Sequence, residues 1–123
     1  MNNNKRKIMI IDDEEDLCEM MALRLTCLGF DVEKAHNGIE GLKKIKGFSP
    51  DIIILDVVMP IMDGWEVCQK IKSNPETRSI KVVVLTATQS DGNYVDKAKS
   101  FGADAALLKP CSEEDLLLEI QKN

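Results

Sequence analysis

The chain has 123 residues, 44% of them hydrophobic and 30% charged, and carries a formal net charge of −5 at neutral pH. This is the length of one ordinary domain, and its apolar content can build a core without disulfides or a structural metal, so disordered and fibrous classes are excluded and a single module over residues 1–123 is expected. The acidic balance argues against direct nucleic-acid binding, because Lys5, Arg6 and Lys7 are too few for the basic face that phosphate contacts need.

Cys18, Cys27, Cys68 and Cys111 are scattered, and the chain has one histidine, so neither a zinc site nor a thioredoxin-type redox motif can be built from near neighbours. They read as reduced, mostly buried thiols. No apolar stretch approaches the roughly 18 residues of a membrane span, and the first residues lack the apolar segment of a signal peptide, so a cytoplasmic protein without membrane contact is expected.

In chain order, short apolar runs alternate with helix-period segments. Ile8 to Ile11 is apolar without polar alternation, the pattern of a parallel strand buried on both faces. A helix is predicted over 15 to 28, with Leu17, Met20, Met21, Leu25 and Leu28 as its core stripe and Cys18, Ala22, Leu23 and Cys27 adding apolar surface outside it. Asp31 to Ala35 alternates and belongs at a sheet edge. A helix over 38 to 46, a strand from Ile52 to Leu55 and a helix over 64 to 73 follow. A strand from Val82 to Leu85, a helix over 92 to 101, a strand from Ala105 to Leu108 and a helix over 112 to 121 complete the chain. Gly29, Gly47 and Gly102 are placed to end helices. In the last helix Leu116, Leu117 and Leu118 cannot share one narrow stripe, which leaves one of them for a dimer or effector contact.

Repeated strand–helix units with right-handed crossovers put helices on both faces of a parallel sheet, a doubly wound α/β fold in which ligands sit outside the carboxyl ends of the strands. Those ends carry Asp12 and Asp13, Asp56, Thr86, and Lys109-Pro110. Three carboxylates at one rim repel by about 1 kcal/mol per close pair in water and by several times that when partly buried, so a cation is required. An all-oxygen donor set with open positions suits Mg2+. Lys109 supplies a mobile positive charge and Thr86 a hydroxyl for phosphoryl oxygens, which makes Asp56 the nucleophile of a phosphoryl transfer and Asp12 and Asp13 the metal holders. Helix capping could account for Asp16, but not for an aspartate ending a wholly apolar strand.

The pieces Ile10-Ile-Asp-Asp-Glu14, Leu55-Asp-Val-Val-Met-Pro-Ile-Met-Asp-Gly64, Val84-Leu-Thr-Ala87 and Lys109-Pro110 occur in an order and spacing that resemble the receiver domain of two-component response regulators over residues 7 to 121. The resemblance implies a flavodoxin-like sheet of five parallel strands in the order 2-1-3-4-5 with five helices. It implies Asp56 as phospho-acceptor, and Asp13, Asp56 and the backbone carbonyl of Val58 as direct Mg2+ ligands with Asp12 acting through water. Lys109 would bind the phosphoryl group, Thr86 would be the switch hydroxyl, and the Lys109-Pro110 peptide would be cis. The implied partner is a histidine kinase or histidine phosphotransfer protein, docking near the first helix, with a homodimer through the fourth helix, fifth strand and fifth helix. Such a domain catalyses only its own phosphorylation and dephosphorylation. Val58 and Thr88 would tune hydrolysis by controlling water access.

One position departs from the family. The aromatic usually found three residues before the lysine is Ala106, which has no rotamer to follow Thr86, so coupling is expected through Gln89 to Phe101 instead. His36, Trp65 and Tyr94 read as loop or packing residues. A haloacid-dehalogenase-type phosphatase would need an acid where Val58 stands. A flavodoxin-like FMN site would be repelled by Asp12 to Asp16. A receiver-shaped interaction module that is never phosphorylated would be expected to lack one of the site residues.

Overall fold

The structure is a computed structural model that describes residues 5–87, 93–109 and 111–122. The strands are β1 (Lys7–Ile11), β2 (Asp31–Ala35), β3 (Ile52–Asp56), β4 (Lys81–Thr86) and β5 (Ala105–Leu108). The helices are α1 (Glu15–Cys27), α2 (Gly38–Phe48), α3 (Gly64–Ser73), α4 (Tyr94–Ser100) and α5 (Glu113–Gln121). All pairings are parallel and the order is β2-β1-β3-β4-β5, as expected. Among the described residues, no helix is long and apolar enough to cross a membrane.

The apolar runs of β1, β3 and β4 form the inner strands because both sheet faces are covered, whereas the apolar run Ala105 to Leu108, whose pattern also predicts burial on both faces, is corrected: β5 lies at the other edge and is only half-buried, with Leu108 exposed. Side chains alternate across the sheet, so Met9, Ile11, Ile53, Leu55, Val82 and Val84 face α2, α3 and α4, while Ile8, Ile10, Ile52, Ile54, Val83 and Leu85 face α1 and α5. The alternating strand β2 lies at the edge, where only Ala35 is fully buried.

The expected core stripe of α1 is corrected. The buried residues are Cys18, Ala22 and Leu25, whereas Leu17, Met20 and Leu28 are exposed and Met21 is half-buried. The small Cys18 and Ala22 let the helix lie close on Ile8 and Ile10, and Leu25 fills the space toward Leu116 and Ile120. Burial follows the shape of this face, so of the expected stripe Leu25 is buried while Leu17, Met20 and Leu28 are left outside. The cysteine reading is corrected in one respect: all are free thiols, but Cys27 is exposed. Burial pushes the Cys18 and Cys68 thiols up to about 11, which makes both inert.

Gly29 and Gly102 end their helices as expected. At each, paired bonds close a left-handed turn, with the Phe30 and Gly29 N–H groups donating to Leu25 and Thr26, and those of Ala103 and Gly102 to Ala98 and Lys99. Gly47 does not end α2. The helix runs on to Phe48, which packs on the core, and Ser49 takes the left-handed position at φ 54. A Cβ at Gly47 would meet nothing within 4 Å. Gly47→Ala is therefore expected to raise stability by about 0.5–1 kcal/mol, read as a higher urea midpoint at unchanged slope.

A partly exposed network that no local pattern announces joins α3 to the second half of the sheet. Lys72 Nζ lies 2.7 Å from Asp104 Oδ2 and donates to the carbonyls of Arg78 (3.0 Å) and Ile80 (2.6 Å), and Asp104 accepts from the Val82 N–H at 2.8 Å. Nothing local marks this pair, because its members meet only once the sheet is assembled.

Candidate functional site: an acidic rim at the carboxyl ends of the strands

The strand order puts β3 between β1 and β4, so their carboxyl ends share one rim. Asp56 is the last residue of β3 and Asp12 follows β1, with its N–H continuing the ladder to the Ala35 carbonyl at 3.0 Å. Thr86 ends β4, and its carbonyl accepts from the Lys109 N–H at 2.8 Å. That bond fixes the start of the Lys109 side chain, which reaches past the end of β4 to the acids.

Among the described residues, the buried polar ones are Asp12 (3% exposed), Asp56 (4%) and Thr86 (3%). Carboxylate oxygens of Asp12, Asp13 and Asp56 lie within 4.8 Å of one another, and Asp13 stands on the open side. Lys109 Nζ is 2.9 Å from Asp56 Oδ1 and 4.0 Å from Asp12 Oδ2. Asp12, Asp13, Asp56, Thr86 and Lys109 thus stand at one rim. Val58 is 70% exposed in the loop after β3. Pro110 and Thr88 lie outside the described residues, as does Gln89 at the start of the expected coupling segment.

The electrostatics are unbalanced toward negative charge. Burial pushes the Asp56 carboxyl up from the usual carboxylate range; Asp12 and Asp13 add to the rise, and the Lys109 ammonium opposes it. Burial works to lower the Lys109 ammonium, yet Asp56, Asp12 and Glu14 together raise it. One lysine does not neutralise three carboxylates. Their oxygen-only donor set, open on the Asp13 side, fits a hard divalent cation such as Mg2+. The capping alternative accounts for none of this: Asp12 Oδ1 accepts from the Glu14 N–H, and the N-cap of α1 is Glu14, without a side-chain capping bond.

The loop after Asp56 is shaped by α3. A Cβ on Gly64 would lie 2.3 Å from the Asp56 carbonyl oxygen and 2.7 Å from Val57 Cα, and the Gly64 N–H donates to the Val57 carbonyl at 2.8 Å. Asp63 caps α3 by accepting from the Glu66 N–H. The Asp63-Gly64 pair, legible in sequence as turn chemistry, also lets the helix abut the Asp56 backbone directly.

Ala106 is half-buried against the core and borders a cavity of about 560 Å3 that Val95, Asp104 and Lys81 also line. Trp65 packs as expected, stacked on Phe101 at 5.3 Å with Lys97 Nζ 5.2 Å from its ring centroid. Beside the site, the exposed side chains of Leu17 and Met20 on α1 were missed as a surface because their spacing also fits a core stripe.

Comparison with known proteins agrees with this geometry. Residues 8–121 match the family model described as the response regulator receiver domain. The DNA-binding dual master transcriptional regulator RpaA of Synechocystis is 36% identical over 117 residues, which is 94% of this chain and 47% of that protein. The chain spans about half the length of the curated relatives it matches. Among solved structures, the chemotaxis protein CheY4 of Vibrio cholerae superposes with a TM-score of 0.86 at 31% identity, covering 95% of this chain and 97% of that one. The receiver domain of a signal transduction histidine kinase from Syntrophus aciditrophicus gives 0.85 at 34% identity, covering 94% and 87%. With the aspartates, threonine and lysine at its strand ends and a family match across nearly its whole length, the chain belongs to the response regulator receiver domains of two-component signalling.

Proposed function

We propose that Asp56 is the phospho-acceptor and that Asp12, Asp13, Asp56 and the Val58 backbone carbonyl hold the Mg2+ the reaction uses. When bound, Mg2+ neutralises charge on the phosphoryl oxygens. An Asp56 carboxylate oxygen attacks phosphorus in line, the P–N bond to the donor imidazole breaks, and the departing nitrogen takes its electron pair and then a proton. Lys109 transfers its ion pair from the free carboxylate to a phosphoryl oxygen, and Thr86 turns its hydroxyl toward another. The observation that carries this reading is the convergence of three carboxylates within 4.8 Å, with Lys109 2.9 Å from Asp56.

The donor is a phosphohistidine on a histidine kinase or histidine phosphotransfer protein, which seats partly on the exposed Leu17 and Met20 of α1. Phosphorylation shifts the α4-β5-α5 surface, where Val95, Leu108 and Leu118 are exposed and available for an output partner or a second copy of the chain. Ala106 has no rotamer to report Thr86, so α4 and the segment before it carry the change. The domain acts in the cytoplasm and catalyses only its own phosphorylation and dephosphorylation. A phosphatase acting on other substrates lacks its general acid, since Val58 stands where that acid is needed.

Intact mass after incubation with acetyl phosphate tests the assignment. One phosphoryl adduct is expected with Mg2+, and none with chelator or in Asp56→Asn. An adduct that persists in Asp56→Asn would move the acceptor elsewhere. The same variant has a thermal signature. Because Asp56 has a raised folded pKa, its contribution to stability is present below the ordinary carboxylate pKa and lost as pH rises through the folded value. In chelator, Asp56→Asn should melt above the parent at neutral pH, and the gap should close in acid.

A further inference from the structure

The lysines of α2 and α3 fall into two groups. Lys44 lies 3.0 Å from Glu40 and 3.6 Å from Glu33, and Lys72 lies 2.7 Å from Asp104, so both are neutralised within the chain. Lys43 and Lys46 on α2 and Lys70 on α3 are exposed and make no ion pair among the described residues. Lys70 is unpaired although Glu66 stands four residues before it on the same helix, the spacing and order that favour a pair. Carboxylates are not scarce in a chain of net charge −5.

The three unpaired side chains meet at one place. They line a cavity of about 370 Å3 between the two helices, together with the apolar side chains of Leu42, Ile45 and Ile71. Lys43 and Lys46, three residues apart, share one face of α2. A second cavity of about 340 Å3 shares Ile45, Lys46, Glu76 and Thr77 with the first and continues to Pro50 and Ile80, just before β3 and β4. The groove thus reaches the amino end of the sheet, away from the acidic rim at the carboxyl ends. Two polar groups complete the lining. Asn74 Oδ1 accepts from the Glu76 N–H at 2.9 Å, which leaves the Asn74 amide NH2 as a donor, and the Glu76 carboxylate is an acceptor.

We propose that this groove binds a purine nucleoside polyphosphate, with its phosphates on Lys43, Lys46 and Lys70, its base against Leu42, Ile45 and Ile71, and the edge of the base on Asn74 and Glu76. Charge selects the polyanion, because three ammonium groups at one mouth repel one another and an anion of two or more charges relieves that repulsion. Size and lining select the ring. A volume of about 370 Å3 suits a small molecule, and such sites are mostly apolar with a few placed polar groups. Glu76 selects the base: it repels phosphate but accepts hydrogen bonds, so it suits the amino group of a purine, and the Asn74 NH2 suits the acceptor atom beside that group. A polynucleotide would need a broad basic face, which a chain of net charge −5 lacks. The site is independent of Asp56 and of phosphoryl transfer to it.

The test is calorimetric titration of the full chain with ATP and GTP in chelator, which keeps metal–nucleotide complexes off the acidic rim. Adenosine, UTP and inorganic tripolyphosphate are the comparisons. The tighter of the two purine nucleotides should bind with a dissociation constant of about 10–100 µM, and each comparison compound should bind at least about tenfold more weakly. Lys46→Gln, at the lysine both cavities share, should weaken the nucleotide by about tenfold, the usual contribution of one charge-assisted bond, and Lys44→Gln, which removes a lysine already paired, should stay within about twofold. Glu76→Gln should narrow the preference for the purine nucleotide over UTP, and Asp56→Asn should bind as the parent does. No binding of either purine nucleotide at about 1 mM, tripolyphosphate binding as tightly as the nucleotide, equal losses in Lys44→Gln and Lys46→Gln, or loss of binding in Asp56→Asn would each overturn the proposal.

Discussion

Lys109→Met in chelator is expected to lose about 2 kcal/mol of stability and to recover most of it when Mg2+ is added. The lysine is the cation nearest the buried carboxylates, 2.9 Å from Asp56 and 4.0 Å from Asp12. Removing one partner of a buried pair leaves the other charge uncompensated, a loss of about 3–5 kcal/mol when both are fully enclosed. Lys109 is a quarter exposed, which reduces the figure. Methionine keeps the length and apolar stem of the side chain, so the loss reports charge and little else. Without the competing ammonium the three carboxylates should bind Mg2+ more tightly than in the parent, and thermal melts across a Mg2+ titration measure both effects. Phosphorylation should behave oppositely. At saturating Mg2+ the rate with acetyl phosphate should drop by about 10²–10³, the usual cost of removing one preorganised charge from the developing phosphoryl oxygens. A variant that folds well, binds Mg2+ tightly and is phosphorylated at the parent rate would remove Lys109 from the chemistry.

Gly64→Ala should be severely destabilising although it adds only one methyl group. The added Cβ would stand 2.3 Å from the Asp56 carbonyl oxygen and 2.7 Å from Val57 Cα, both backbone atoms that cannot swing aside. Relief requires α3 to move off the sheet, breaking the 2.8 Å bond from the Gly64 N–H to the Val57 carbonyl and shifting Asp56 itself. The expected loss is about 3 kcal/mol, at the upper end for overpacked positions. Weaker Mg2+ binding should accompany it, because Asp56 is one of the proposed ligands. Urea denaturation and Mg2+ titration on the same sample provide the check. A melt and a metal affinity equal to the parent's would mean that α3 can be displaced freely. The contrast with Gly47→Ala is informative: the same substitution is expected to stabilise where the glycine sits in a helix with open space around it.

Much of the fold was legible in the chain. The runs Ile8 to Ile11, Ile52 to Leu55 and Val82 to Leu85 read as doubly buried strands and the alternating Asp31 to Ala35 as an edge, because strand burial follows a period of two, although the equally apolar Ala105 to Leu108 turned out to be the other edge. The polar residues ending those strands were legible for the same reason, since a parallel sheet collects its strand ends on one side.

Helix phase was harder to read. On α1, Leu17, Met20 and Leu28 offered an apolar stripe as good as Cys18, Ala22 and Leu25, and only the shape of the sheet face selected the smaller residues. Three other features had no local sign. The ion pair of Lys72 with Asp104 joins elements that meet only in the assembled sheet. Gly64 looked like a turn residue until the backbone of Asp56 was found against it. Ile61 looked like an ordinary apolar residue until its φ of 71 and its exposure appeared together.

The sequence by itself determined which residues are strands and which chemistry stands at their ends, because period and residue type are local properties. The tertiary structure decided which faces are covered, how closely Lys109 approaches Asp56, and where strain and exposed apolar surface are stored beside the acid. Those depend on distances between segments remote in the chain, which are set when the sheet closes its register.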